Sequence, residues 1–324
     1  MMKWHAVELH THTYHSDGDF TLDELVETVQ SLDFSAVCLT DHNTFSGYDE
    51  FEKALQKYQF IGVKGIEWTT YFGHLLVLGE EGKCDWRQSK KNNLDASLRA
   101  IHESGGISGI AHPYALSTPI NTGYDFQFNI EDYSLVDFIE VWSRDFPEGK
   151  VRTIRAFKLW EEKLNQGYKI TGTSGRDYHR ADGIPVSYGN TYIGIDIQQI
   201  LDSTQIVKAI KKGRIVVTLG PLLTAQIEKN DQVYEVGDVI NPGRSLIKIQ
   251  IDSKKNIGKW QIFDIKPKEI KFIHNGKIIY ETNYEEEHEI LLNLEKGWLR
   301  VDLIGEYLGV ENSRLAFTNP FYIE

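Results

Sequence analysis

The chain opens on an alternation of apolar and polar residues. Val7 and Leu9 alternate with Glu8 and His10, which is the period of two expected of a strand with one buried face. The pattern predicts a strand over residues 4–10, with His10 and His12 on the same side of it. Apolar runs predict further strands at 35–40, 60–66, 74–78, 107–111, 135–142, 168–173, 191–195 and 215–218.

Between these runs, apolar residues recur at the spacing of a helix. Thr21 followed by Glu24 predicts a capping box, and the helix after it should bury a face that includes Leu22 and Val26. Similar patterns predict helices at about 51–58, 93–104, 149–166 and 203–212. Strands that are separated by helices predict a parallel sheet, and this many units indicates a closed or nearly closed barrel.

The character of the chain changes after Gly220. Short alternating segments are separated there by turn signals such as Asn275-Gly276. The expected strands lie at 222–228, 246–252, 259–264, 269–274, 277–281, 288–293, 298–303 and 314–318. We therefore expect two domains, a catalytic barrel over 1–219 and a small all-β sandwich over 220–324.

Composition narrows the classes of protein. The formal net charge of −12 over 324 residues argues against non-specific binding to nucleic acid. The chain has two cysteines, Cys38 and Cys84, which is no disulfide framework. No signal-like segment and no run of about 18 apolar residues is present. We expect a cytoplasmic protein that has no membrane partner.

The chemically suggestive side chains fall at the carboxyl ends of the predicted strands, where barrel enzymes build their active sites. They are His10, His12, Asp17, Asp41, His42, Glu67, His74, His112, Glu140, Arg144, Arg176, Asp177 and His179. A carboxylate can bridge two cations, whereas a neutral imidazole holds one. Mixed nitrogen and oxygen ligands suit Mn, Fe or Zn. The pattern predicts a multinuclear metal site.

The motifs that carry these residues resemble those of the PHP (polymerase and histidinol phosphatase) family, and more narrowly its CehA/McbA-like branch. They include Thr-Asp-His (40–42), Gly-Ile-Glu-Trp (65–68), Ala-His-Pro (111–113) and Gly-Arg-Asp-Tyr-His (175–179), after the initial His-Thr-His-Thr. The resemblance spans residues 5–220 and implies a distorted (β/α)7 barrel.

The resemblance also implies how the ligands are shared among two or three divalent ions. His10, His12, Glu67 and Asp177 would hold a first ion. Glu67 would bridge to a second ion that is held by His74 and His112. The third ion would be held by Asp17, His42 and His179.

Other residues are assigned supporting roles. Asp41 and Glu8 are expected to orient the ligands. Glu140 could equally support a ligand or contact the substrate. Arg144 and Arg176 are candidates for binding a phosphate beside the metals. The candidate catalytic residues are His179, Asp177 and Glu67; whether a histidine or a metal-bound water protonates the leaving group is left open.

The leading hypothesis is a phosphoesterase that uses a metal-activated hydroxide on a small-molecule phosphate monoester or diester, nucleotides included. A carboxyl or carbamate ester hydrolase is the alternative, because fold and metals do not fix the substrate. A non-catalytic module that binds metal or ligand is a third hypothesis, from a different class.

Overall fold

The computed structural model describes residues 2–79, 82, 84–115, 125–181, 183 and 185–324. Its first seven strands are neighbours in one sheet, in chain order. They are β1 (Met2–Glu8), β2 (Ala36–Leu39), β3 (Ile61–Thr70), β4 (Gly73–Leu78), β5 (Ile107–Ile110), β6 (Phe138–Ser143) and β7 (Thr171–Gly175). Strands β1 to β3 are mutually parallel, and so are β5 to β7.

The predicted helices are present in the described part of the chain. They are α1 (Leu22–Ser31), α2 (Tyr48–Tyr58), α3 (Leu94–Glu103), α4 (Val151–Asn165) and α5 (Ser203–Lys212). The Thr21–Glu24 capping box at α1 is confirmed, and Leu22 and Val26 are buried. Short 3-10 helices lie at Trp86–Gln88 and Tyr133–Leu135.

The prediction of regular strand–helix alternation and a parallel sheet is wrong in part. Strands β3 and β4 form a hairpin, and β4 is antiparallel to both of its neighbours. Two further strands, β8 (Asn190–Asp196) and β9 (Ile215–Thr218), extend the sheet from β1 in antiparallel order. Apolar runs reveal that strands are buried, but they carry no signal for strand direction. The architecture is a mixed α/β fold with many strands and few helices.

The second part of the chain is built of strands, as predicted. They are β10 (Leu222–Lys229), β11 (Gln232–Glu235), β12 (Val239–Ile240), β13 (Gly243–Asp252), β14 (Ile265–His274), β15 (Lys277–Asn283), β16 (Glu287–Leu294), β17 (Gly297–Tyr307), β18 (Val310–Thr318) and β19 (Phe321–Ile323). Four of them form a separate sheet in the order β11-β10-β13-β16. The Asn275-Gly276 turn joins β14 to β15.

One predicted strand, 259–264, is instead largely a 3-10 helix at Ile257–Ile262. Gly258 and Lys259 have φ values of 65° and 57°, a left-handed backbone that no strand can contain. The Gly258 amide donates a hydrogen bond to the carbonyl of Leu32 at the end of α1. This segment therefore lies against the first part of the chain rather than in a sheet.

The large sheet continues across the predicted domain boundary, because β18 pairs with β9. Asn319, just beyond β18, is fully buried. Its Oδ1 accepts a hydrogen bond from the Gly172 amide (2.7 Å), and its Nδ2 donates to the Gly172 carbonyl (2.8 Å). The division at residues 219 and 220 stays a prediction. In the described residues no helix is both long and apolar enough to span a membrane.

Candidate metal centre

The site forms where the chain leaving β1 meets the chain leaving β7. The His12 amide donates to the Tyr178 carbonyl (2.9 Å), and the Tyr178 amide donates to the His10 carbonyl (3.0 Å). Strand β1 ends at Glu8, so His10 and His12 lie beyond the strand that was predicted to carry them. Their side chains are fully buried, and the two ring centroids are 5.0 Å apart.

Glu67, near the end of β3, is the centre of the cluster. Its Oε2 lies 3.2 Å from His10 Nε2 and 3.3 Å from His12 Nε2. Its Oε1 lies 2.9 Å from His74 Nδ1 and 3.0 Å from His112 Nε2. Each carboxylate oxygen therefore faces two different imidazoles, which is the arrangement of a carboxylate that bridges two cations.

Asp177 completes the inner part of the cluster. Its Oδ1 lies 3.4 Å from His10 Nε2 and 3.2 Å from His12 Nε2. Its Oδ2 accepts a hydrogen bond from Arg144 Nε, and Arg144 Nη2 also lies 2.6 Å from it. Asp177 thus joins the histidines to an arginine that is about one-third exposed.

Asp17 forms an outer part of the site with two histidines. Its Oδ1 lies 3.3 Å from His42 Nε2 and 3.2 Å from His179 Nε2. His42 Nδ1 also lies 2.9 Å from Glu67 Oε2, so this group is continuous with the inner cluster. Asp17 is half exposed, and this side of the cluster is therefore open to solvent.

The donor atoms fit divalent cations. Three overlapping groups have ligand atoms within 4.8 Å of one another: His12, Asp17, His42 and His179; His10, Glu67, His112 and Asp177; and His42, Glu67 and His74. The structure thus brings together all nine predicted ligands. It groups His12 with the outer residues as well as with the inner ones, so the division among three ions stays a prediction.

Buried ligand atoms that find no hydrogen-bond partner among the described residues support the fit of this cluster to divalent cations. Nε2 of His10, Nε2 of His12 and Oε2 of Glu67 are shielded from solvent and make no hydrogen bond. Polar atoms that are buried in this way cost free energy unless something binds them. Converging imidazole nitrogens and carboxylate oxygens are ligands that Mn, Fe and Zn accept.

The charges of the cluster shift its proton equilibria. Burial alone would lower the pKa of His10, but Glu67, Glu140 and Asp177 raise it well above its ordinary value. Burial opposes ionisation of Glu67, yet His10, His42 and His74 hold its pKa well below the usual range. Without a metal, the cluster therefore holds protons on His10 and His42 and negative charge on Glu67, whereas burial lowers the pKa of His112. Metal binding must displace those protons.

Glu140 and Asp41 orient ligands, as was expected of Asp41 and left open for Glu140. Glu140 Oε1 lies 3.1 Å from His10 Nδ1, which leaves Nε2 of that ring to face Glu67. Its Oε2 accepts a hydrogen bond from the His112 amide (2.9 Å). Asp41 accepts hydrogen bonds from the amide and hydroxyl of Thr13, both 2.7 Å, and so holds the loop after His12.

Arg176 is a buried, paired residue in this structure, and its role in substrate binding stays a prediction. Its side chain is 4% exposed, and its Nε lies 3.1 Å from Glu8 Oε2. Its Nη2 donates a hydrogen bond to Asn190 (3.1 Å). Glu8 also accepts hydrogen bonds from the amides of Arg176 and His10. Glu8 therefore supports the backbone of the site, as predicted, and Arg176 compensates its buried charge.

Sequence reasoning missed two neighbours of the cluster. The hydroxyl of Thr69, two residues beyond Glu67, lies against His42 Nδ1. Arg152, at the start of α4, shares a void with His112 and Glu140. The only sequence signal for Thr69 was its place at the end of a strand, and Arg152 lay in a helix that carried no predicted site residue.

The comparisons with known proteins agree with the geometry. Residues 8–153 match the family model of the PHP domain. The sequence matches none of the curated proteins with which it was compared.

Similar folds occur among solved structures. A two-domain protein from Bacteroides vulgatus, containing a predicted PHP-like metal-dependent phosphoesterase, is 12% identical with a TM-score of 0.56; the match covers 99% of this chain and 96% of that one. An amidohydrolase from Chromobacterium violaceum is 17% identical, covering 64% and 96%, with a TM-score of 0.40. A protein from Bifidobacterium adolescentis, described as a metal-dependent phosphoesterase, is 16% identical, covering 63% and 95%, with a TM-score of 0.38. The first similarity extends over both parts of the fold, and the family match covers most of the metal-binding motifs. Over residues 8–153, a little under half of the chain, the sequence is therefore similar to the PHP domain.

Proposed function

We propose that this protein is a metal-dependent hydrolase of phosphate esters. The observation that carries the proposal is the clustering of nine potential ligands, Glu67 among them, with Arg144 paired to Asp177. Two or three divalent ions bound there would polarise a phosphate oxygen and lower the pKa of a water molecule. The match of residues 8–153 to the PHP-domain model supports phosphoester hydrolysis. The narrower CehA/McbA-like affiliation is part of the proposal.

We assign roles to the residues of the site according to how deeply they are buried. Glu67 and Asp177 are buried carboxylates that hold the inner imidazoles in place. Arg144 is partly exposed and offers a guanidinium for a phosphate oxygen. His179, about 29% exposed, is the most accessible of the ligand histidines. We infer that His179 exchanges a proton with a leaving group that enters from solvent if it does not hold an ion; otherwise a metal-bound water does so.

We base the choice of a phosphate ester as substrate on Arg144, because Arg176 is buried and pairs with Glu8. Carboxyl-ester hydrolysis is therefore the outcome to be tested against it. The discriminating measurement is turnover of a phosphomonoester, a phosphodiester, a nucleotide and a carboxyl ester. The protein would first be stripped with chelator and then reloaded in turn with Mn, Fe(II) and Zn.

We expect metal-dependent release from a phosphate ester and none from the carboxyl ester. His10→Ala and Asp177→Ala should lose bound metal and turnover together. His274→Ala is the matched control, since that ring lies in β14 and contacts the carbonyl of Glu295. Cleavage of the carboxyl ester alone would move the protein to the alternative reaction. Full turnover in either ligand variant would overturn the site.

A further inference from the structure

Arg152 has a guanidinium without an adequate acceptor. Its Nε and Nη2 atoms are shielded from solvent and make no hydrogen bond with any residue that the structure describes. The ion pair that the structure gives it is with Asp145, whose Oδ1 is 3.6 Å from Nη2. That distance is too long for a hydrogen bond. Asp145 already accepts a hydrogen bond from Lys150 Nζ at 3.1 Å.

The residue after Arg152 also has a buried polar atom without a hydrogen-bond partner among the described residues. Thr153 is 4% exposed, and its hydroxyl has no hydrogen-bond partner among the described residues. Both residues line a narrow void together with His112, Glu140 and Ser143. A buried donor without an acceptor costs about 1–3 kcal/mol, and more when it is charged. Two such groups side by side next to the metal ligands indicate that an acceptor is missing.

The surroundings of Arg152 favour an anion as that acceptor. Arg144, Lys150 and Arg152 lie on one short stretch of the chain, where Arg144 pairs with Asp177 and Lys150 pairs with Asp145. Burial and the neighbouring Arg144 lower the pKa of Arg152, and they outweigh the opposing effect of Asp145, Asp177 and Glu140. The Arg152 side chain is about one-quarter exposed, so a turn of its shielded nitrogens toward solvent would bring them to an anion.

We propose that Arg152, with Thr153, forms a subsite for a second anionic group of the substrate, while Arg144 and the metal centre take the phosphate that is cleaved. This inference rests on the proposed function. The second group is a carboxylate or a second phosphate, since a guanidinium binds either oxyanion. Because Nε and Nη2 of Arg152 make no hydrogen bond with the described residues, these two atoms lose none when the side chain turns toward that group.

The test compares substrates that differ by one anionic group. Glycerol 1-phosphate and 3-phosphoglycerate differ by a carboxylate, whereas fructose 6-phosphate and fructose 1,6-bisphosphate differ by a phosphate. The measured quantity is kcat/KM for each substrate on the metal-loaded protein. We expect at least one pair to favour the doubly anionic member by about tenfold or more, the effect of one charge-assisted hydrogen bond. The pair that shows it identifies the group.

Arg152→Met should abolish that preference by raising KM for the doubly anionic member, with little change for the singly anionic one. Arg155→Met is the matched control, because Arg155 is exposed on the same helix and stacks on Tyr114. It removes the same charge and should keep the preference. A wild-type protein without the preference, or an Arg152→Met protein that keeps it, would overturn the subsite.

Calorimetric titration of 3-phosphoglycerate and fructose 1,6-bisphosphate separates this inference from the proposed function. Binding that depends on Arg152 but leads to no turnover would keep the subsite and reject phosphoester hydrolysis. Turnover of the singly anionic esters, with no effect of Arg152→Met on any substrate, would keep phosphoester hydrolysis and reject the subsite.

Discussion

At the level of single residues, Arg176 and Glu8 form a buried ion pair at the base of the metal centre. Burial raises the pKa of Glu8, although the Arg176 charge opposes this effect. Two aromatic rings, of Phe34 and Tyr188, lie within 5.0 Å of the Arg176 guanidinium carbon. The environment is therefore that of a core residue that compensates a buried carboxylate.

We expect Arg176→Met to destabilise the protein by about 3–5 kcal/mol, because it leaves the Glu8 carboxylate buried and unpaired. The fall should be visible as a lower midpoint in chemical or thermal unfolding. Arg180→Met is the control, since Arg180 is exposed and lies four residues after Arg176. An unfolding midpoint that is unchanged by Arg176→Met, with a raised KM instead, would restore the substrate-binding role that the sequence suggested.

The histidines of the cluster predict how stability depends on pH when metal is removed. Burial alone would lower the pKa of His42, but Glu67 and Asp17 raise it to about 10. The pKa of His10 is also raised. A raised folded-state pKa stabilises the fold fully below the unfolded value of about 6.5, and that stabilisation is lost as the pH rises through the folded value.

The chelator-treated protein should therefore lose thermal stability steadily between about pH 6.5 and pH 10. The metal-loaded protein should lose less over the same range, because bound ions require neutral imidazoles and bind more tightly as the pH rises. Differential scanning calorimetry of both forms across this range measures the effect. Parallel curves for the two forms would mean that the histidines do not hold the protons assigned to them.

At the level of elements, the site is built by turns at the ends of strands rather than by strand alternation. Asp177, Arg144 and His112 have φ values of 52°, 61° and 25°. Backbone in this region is uncommon for residues other than glycine, and it is maintained only where the surroundings enforce it. Asp177 and His179 therefore reach the same site without the backbone of a strand.

Packing between β6 and β7 makes Gly175 a sensitive position. A Cβ atom at Gly175 would lie 2.1 Å from Glu140 Oε1 and 2.7 Å from His10 Cβ. Gly175→Ala should therefore displace Glu140 and His10, and lower metal affinity by about 10–100-fold, as for other losses of ligand support. Metal titration of the stripped protein measures this change.

Gly183→Ala is the matched control for that substitution. A Cβ atom at Gly183 would have no atom of the described residues within 4 Å, apart from its chain neighbours. Metal affinity should therefore be unaffected. Equal affinities in the Gly175→Ala and Gly183→Ala proteins would show that Glu140 and His10 can move without cost to the site.

At the level of the whole molecule, the two parts of the chain share hydrogen bonds as well as a sheet. Asn319→Ala would leave the amide and carbonyl of Gly172 without their partners inside the core. Each unsatisfied group costs about 1–3 kcal/mol. We expect one unfolding transition at a clearly lower temperature, reported alike by the fluorescence of tryptophans in both parts.

The control for Asn319→Ala is Asn283→Ala, an exposed position in β15, which should leave the transition in place. Two separate transitions in the Asn319→Ala protein would show that the parts fold independently. That outcome would support a domain boundary near residue 220 as a true unit of stability.

The sequence predicted most of what periodicity and chemistry can encode. Helix α5 and strand β9 have the predicted bounds, and the nine ligand candidates converge. Strand direction at β4 and the continuation of the sheet into β18 were missed, because both depend on contacts far apart in sequence. The pairing of Arg176 with Glu8 was missed for the same reason, because the two residues are more than 160 positions apart.

The order in which the chain is synthesised adds a constraint on how this site is assembled. His10 and His12 emerge early, whereas Tyr178, whose backbone bonds them, and His179 emerge far later. Closing loops of this length is entropically costly and slow. Asp17 and Glu67 also emerge early, but Asp177 and His179, which complete two of the ligand groups, come last. The full set of ligands that selects a metal is therefore available only after the first part of the chain has been made.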